Sequence, residues 1–269
     1  MKNIVAAVDF SESSNNAARY AADLAAAVGA ELHLVHVLDF HAIHPEVPVP
    51  DYVLDEVRNA GFNGLETLAA ELKARTGQKI NIATDLETGT VERRVRDFSW
   101  WKKPFLVVRG ASEGETPSIG QLPYPLLIIP RDVTFRQVRN VVIACDAEDI
   151  DNGMPVPFEF LRELRDLLRA HFDVLHVATG REESATISFR EWRATLMAQF
   201  PEIHFISAPT VEEGVNEYLE HHPIDWLVIF PKKGGIFHFH KSLSKNIVLH
   251  CPVPVMSIKD RMRRMGAER

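Results

Sequence analysis

Short apolar runs alternate with amphipathic stretches along the whole chain. Residues 4–8 form the first run. Ser11 or Ser13 then caps an Ala-rich amphipathic helix that reaches Val28 and is closed by Gly29. A second run covers residues 32–38. A loop spaced by Pro45, Pro48 and Pro50 leads to a long helix over residues 51–75 that ends near Gly77. Residues 79–84 read as a third strand, Thr90 as the cap of a short helix to about Ser99, residues 105–108 as a fourth strand and residues 126–129 as a fifth. Trp100 and Trp101 are expected to pack a helix end.

The scheme then starts again. Lys2-Asn3-Ile4-Val5-Ala6-Ala7-Val8-Asp9 returns as Arg139-Asn140-Val141-Val142-Ile143-Ala144-Cys145-Asp146, and Leu34-Val35-His36-Val37 as Val174-Leu175-His176-Val177. Thr90-Val91-Glu92 returns as Thr210-Val211-Glu212, and the Pro-rich approach to the last strand, residues 123–132, is echoed at residues 252–260. Four echoes in one order indicate a tandem repeat. The second copy has helices near residues 157–169, 183–199, 210–220 and 242–250; it is shorter between its second strand and third helix. The first copy is shorter just before its last strand, and no fourth helix fits there.

Apolar runs with little period-two alternation, separated by helices, are the mark of parallel strands covered on both faces. Right-handed crossovers then give an open, doubly wound sheet. The expected fold is α/β: a first domain over residues 1–131, a linker at 132–138, a second domain over 139–260 and a basic tail at 261–269.

Composition narrows the function classes. With 30 Lys and Arg against 37 Asp and Glu, the net charge of −7 opposes broad attraction to nucleic acid or an anionic membrane, so neither is an expected partner. Arg261, Arg263, Arg264 and Arg269 make the tail the one exception, read as a solvated terminus. The first apolar run is too short for a secretory signal or a membrane span, so a cytoplasmic protein is expected. Cys145 and Cys251 read as buried thiols in a reducing compartment.

Catalysis has no advocate among the motifs. There is no nucleophile elbow, no zinc-protease helix and no pair of carboxylates with distinctive spacing. Residues 235–242 come near a P-loop, but His240 stands where its second glycine belongs, and the segment lies late in its domain. His33, His36, His41, His44, His238 and His240 invite a metal reading. His33 and His36 point to opposite faces of one strand, however, and no Cys or Asp partners them at ligand spacing, so no metal is expected.

Val8-Asp9-Phe10-Ser11-Glu12, Val35-His36-Val37 and Cys251-Pro252-Val253-Pro254-Val255 resemble, in this order, the first-strand signature, second-strand end and last-strand approach of the universal stress protein family. The resemblance covers nearly the whole chain as two tandem domains. It implies an adenine-nucleotide alpha-hydrolase-like fold, with the domains related by a pseudo-two-fold axis and their last strands near each other. It also implies that Asp9 and Val37, then Asp146 and Val177, stand where nucleotide-binding members contact the nucleoside of ATP. A carboxylate at that place can accept ribose or base hydrogen bonds, or equally satisfy the amides of the adjacent helix end.

The family's phosphate arm needs spaced glycines so that backbone amides approach the phosphates at a helix N-terminus. Both copies depart from it. The first has Gly110 and Gly114 at the wrong spacing, beside Glu113 and Glu115, which repel a triphosphate. The second has Gly234 and Gly235, with Lys241-Ser242 at the family's Gly-Ser position. Ser242 can cap a helix, and Lys241 can pair with an anion or fill the space of a phosphate.

The expectation is a non-catalytic stress-response or adaptor protein with weak or lost nucleotide binding and a vestigial site in the first domain. The alternative is an ATP-binding switch or slow ATPase using the second. No cofactor is expected, ATP or another adenine nucleotide being the one ligand the resemblance allows. The partner would be a protein of unknown identity, and a homodimer is the assembly the resemblance allows.

Overall fold

The computed structural model describes residues 2–39, 50–111, 122, 124–144, 157–179, 200, 202–230 and 251–258. The chain divides into two compact units, residues 1–136 and 137–269.

In the first unit the order along the chain is β1 (Asn3–Val8), α1 (Glu12–Val28), β2 (Glu31–Leu38), α2 (Asp51–Arg75), β3 (Ile82–Thr88), α3 (Val91–Lys102), β4 (Leu106–Gly110) and β5 (Leu126–Ile129). The strands lie side by side as β3-β2-β1-β4-β5. Each neighbouring pair is parallel. Chain direction across the sheet reverses between β1 and β4, where the carboxyl ends of the strands open a crevice. Ile4, Val5, Leu32, Leu34, Val35, Leu106, Val107 and Leu127 form the buried centre.

The ends of α1 are chemically defined. The Ser11 side chain accepts a hydrogen bond from the Ser14 amide, and Gly29 closes the helix in the left-handed region at φ 66°. Arg19 pairs with Glu71 at 2.7 Å and Arg75 with Asp23 at 2.8 Å, so α1 and α2 are tied together at two points. His33 faces Phe98 of α3, while His36 lies against Gly61 of α2, which puts these two helices on opposite faces of β2, as period two requires.

In the second unit β6 (Asn140–Ala144), α4 (Phe158–Leu168), β7 (His171–Ala178), β8 (Ile203–Ser207), α5 (Val211–His221), β9 (Trp226–Ile229) and β10 (Val255–Ser257) follow one another. Their lateral order is β8-β7-β6-β9-β10, again parallel. Val142, Phe172, Val174, Trp226 and Met256 fill its centre.

One sequence echo acquires a physical role. The Asn3 side-chain amide donates to the Lys102 carbonyl, and that of Asn140 to the Pro223 carbonyl, both at 2.9 Å. Each asparagine therefore ties the start of its unit's first strand to the chain just ahead of the fourth.

Several expectations need correction. The third strand runs Ile82–Thr88, later than the expected 79–84, because Gly77 and Gln78 both turn at positive φ and β3 then pairs with the full length of β2. Thr90 occupies the cap position of α3 without a side-chain hydrogen bond, whereas Thr210 does cap α5, accepting from the Glu213 amide at 3.1 Å. Trp100 and Trp101 do not pack a helix end: they are 59% and 86% exposed at the end of α3. The expected helices at 183–199 and 242–250, the stretch expected to lack a fourth helix and the basic tail lie outside the described residues. No described helix is long and apolar enough to cross a membrane.

Candidate functional site

The crevice of the first unit begins at Asp9, one residue beyond β1. Its Oδ1 accepts the Ser11 amide at 2.9 Å, and its own amide donates to the Ser14 hydroxyl at 3.2 Å. Burial works against ionisation of this carboxyl, yet the hydrogen bonds from Ser11 and Ser14 hold it below its usual range. Asp9 is thus an anion already engaged by the first turn of α1. Of the two readings open in the sequence, the fold-stabilising one has visible partners here.

Phe10 is the residue that sequence reasoning missed. Its backbone stands at φ 64°, a left-handed conformation that costs a non-glycine residue on the order of 1–2 kcal/mol. The Asn15 side-chain amide donates to the Phe10 carbonyl at 3.1 Å. In this conformation the ring turns onto His36, with ring centroids 4.5 Å apart, and presses against Gly64 of α2. His36 is held in turn by a 2.8 Å contact from Nδ1 to the Val8 carbonyl. Phe10 thus directly follows Asp9 in the chain and packs on His36, the residue before Val37, on the α2 face of β2. The available signal was an aromatic between the strand-end Asp and the helix-capping Ser, together with two glycines, Gly61 and Gly64, inside a helix that glycine weakens.

Gly110 was expected in a loop of the vestigial phosphate arm; it is instead the last residue of β4. A Cβ there would lie 2.6 Å from the Ser13 carbonyl oxygen, and the Ser13 hydroxyl donates to the Ala111 carbonyl at 2.6 Å. The glycine lets the start of α1 pack closely against β4 at this point. Gly114 lies outside the described residues.

In the second unit Val177 ends up buried, because α5 crosses it at Gly214, where a Cβ would lie 2.5 Å from the valine Cγ1. The equivalent histidine, His176, is buried and meets Phe205 edge-on at 6.0 Å. Asp146, Gly234, Gly235, Lys241 and Ser242 lie outside the described residues, as do His41, His44, His238, His240 and Cys145. Cys251 is buried, and burial pushes its thiol up to about 11.

Residues 1–118 match the model of the universal stress protein family. A universal stress protein from Archaeoglobus fulgidus DSM 4304 has a similar fold, with a TM-score of 0.70 at 16% identity over 96% of each chain. A functionally unknown protein from Pseudomonas aeruginosa PAO1 gives a TM-score of 0.58 at 12% identity, covering 100% of this chain and 98% of its own. A putative universal stress protein from Pseudomonas aeruginosa UCBPP-PA14 gives 0.57 at 11% identity, covering 100% and 97%. No curated protein matches the chain.

Proposed function

We propose, from the premise that residues 1–118 belong to the universal stress protein family, that this chain works by binding a protein partner and that its first domain has lost the nucleotide. The observation that carries this reading is the Phe10 ring. It rests on His36 and Gly64, adjacent in sequence to Asp9 and Val37, the two positions that match the nucleoside contacts of nucleotide-binding relatives. A ligand entering there has to displace an aromatic ring from a packed position, and that displacement is charged against every contact the ligand gains. Asp9 adds to the cost, because its carboxylate is already hydrogen-bonded to the α1 turn.

On this reading the chain serves a stress-response or adaptor role in the cytoplasm, supported by its family resemblance.

Native mass spectrometry of freshly purified protein, followed by ATP titration of wild type, Phe10→Ala, Asp9→Ala and Asp146→Ala, tests the reading. The expected result is no retained nucleotide and no saturation by wild type at micromolar ATP. Asp9→Ala should behave like wild type. Retained nucleotide, or a micromolar affinity that falls tenfold in Asp9→Ala, would overturn it. A fall confined to Asp146→Ala would transfer the function to the second domain as an ATP switch.

A further inference from the structure

The amino-terminal edge of the second sheet, opposite the crevice, carries a group of side chains that the sequence reading passed over. His171 and Asp173 sit two apart at the start of β7, and Glu202 and His204 two apart where β8 begins, so each pair projects to one side of its strand. The Val174 amide donates to the Glu202 carbonyl at 3.1 Å, which fixes the two strand starts side by side. His171 Nε2 lies 3.5 Å from Asp173 Oδ1, His204 Nε2 lies 3.9 Å from Asp173 Oδ2, and the same nitrogen lies 3.7 Å from Glu202 Oε2. Ligand atoms of His171, Asp173 and Glu202 all fall within 4.8 Å of one another.

These separations are too long for hydrogen bonds, which close to about 2.7–3.2 Å. Asp173 Oδ1 and His204 Nε2 are accordingly buried without a hydrogen-bond partner. Free energy is normally lost when such atoms are left in this condition. Two donor atoms 3.5–3.9 Å apart sit close to the spacing of two ligands bound at about 2.1 Å to one ion, the bond length of zinc to imidazole nitrogen or carboxylate oxygen, so each contacting pair is at ligand spacing. Among the described residues, the His33–Asp85 pair of the first unit, at 3.8 Å, is not part of such a group.

We infer that His171, Asp173, Glu202 and His204 form a binding site for a divalent first-row transition metal of the zinc type. Two neutral imidazoles and two carboxylates match the charge of a dication, and imidazole selects against magnesium and calcium, which prefer all-oxygen shells. The surroundings are built to hold the ligands. The His204 ring lies 5.2 Å from Tyr218, which stacks at 3.9 Å on His222, whose Nδ1 contacts the Tyr218 carbonyl at 2.9 Å. An ion here would join β7 to β8 and stabilise the second unit by mass action.

The site is remote from the nucleotide crevice, so its test is independent of the proposed function. Chelator-treated full-length protein is titrated with Co(II), followed by visible absorbance, and with Zn(II), followed by thermal unfolding. Wild type is compared with His171→Gln and Glu202→Gln, whose exposed side chains can be changed without touching the core. Saturable binding of one ion, a rise in unfolding temperature, and an affinity weakened on the order of tenfold or more in each variant are expected. Magnesium and calcium should not compete. Absence of saturable Co(II) and Zn(II) binding would overturn the inference, as would equal affinity in wild type and both variants, which would place the metal on other histidines.

Discussion

Gly64 of α2 faces Phe10 so closely that a Cβ on the glycine would lie 2.7 Å from the ring Cζ. A helix-interior glycine, normally about 1 kcal/mol worse than alanine, thus makes room for an aromatic ring held at positive φ far away in the sequence.

Gly64→Ala should therefore destabilise the protein by about 1–3 kcal/mol, the usual cost of overpacking, although alanine is the better helix former. Phe10→Ala combined with Gly64→Ala should be less destabilised than the two single effects added together. Urea unfolding of the four proteins in this cycle measures the coupling. A stabilised Gly64→Ala single variant would show that the ring lies elsewhere.

Gly110→Ala carries a different expectation from the one its place in a phosphate motif implies. A Cβ at this position meets the Ser13 backbone carbonyl at 2.6 Å, so unfolding free energy should fall by about 1–3 kcal/mol. Any residual ATP affinity should stay unchanged in material that remains folded. Parallel denaturant and ligand titrations separate packing from binding.

The two units end equivalent helices with different residues. Gly29 closes α1 at φ 66° and Arg169 closes α4 at φ 53°, each cap amide donating to the carbonyl four residues back. Left-handed backbone suits glycine, so Arg169→Gly should raise stability by about 0.5–1 kcal/mol after the added freedom of the unfolded chain is deducted. Gly29→Ala should lower it by a similar amount. Thermal unfolding of the two variants provides the check.

Alkaline stability should respond to Cys251. Its thiol titrates at about 11 in the folded state against an ordinary 9.0, because burial penalises the thiolate. Below pH 9 both states keep the proton and pH has no effect through this group. As pH climbs toward 11, the unfolded chain releases the proton that the folded one retains, so stability is progressively lost. Cys251→Ala should show a shallower decline across this interval. Ellman's reagent should modify the native thiol far more slowly than the unfolded one, and equal rates would contradict the burial.

The sequence echo of Asn3 and Asn140 was legible because both stand at the start of a first strand, although the hydrogen bond each makes to the segment ahead of the fourth strand is long-range and visible only in the fold. The third strand was misplaced because pairing with β2 decides where β3 lies, and a propensity window does not contain its partner. The exposed Trp100 and Trp101 were misread for a related reason: aromatic content implies burial on average, while the end of α3 offers them no surface to cover.

By itself the amino-acid sequence determined the α/β class, the order of strands and helices and the positions of Asp9 and Val37 at strand ends, because periodicity, caps and turns act within a few residues. Only tertiary structure decided which side chains meet across the strands. Phe10 comes to pack on His36 through a φ value and a glycine on another helix. His171, Asp173 and Glu202 come together, with His204 beside Asp173 and Glu202, through the parallel pairing of β7 with β8. Such contacts depend on register and close approach between distant segments, and their energies exist only once the segments have been brought together.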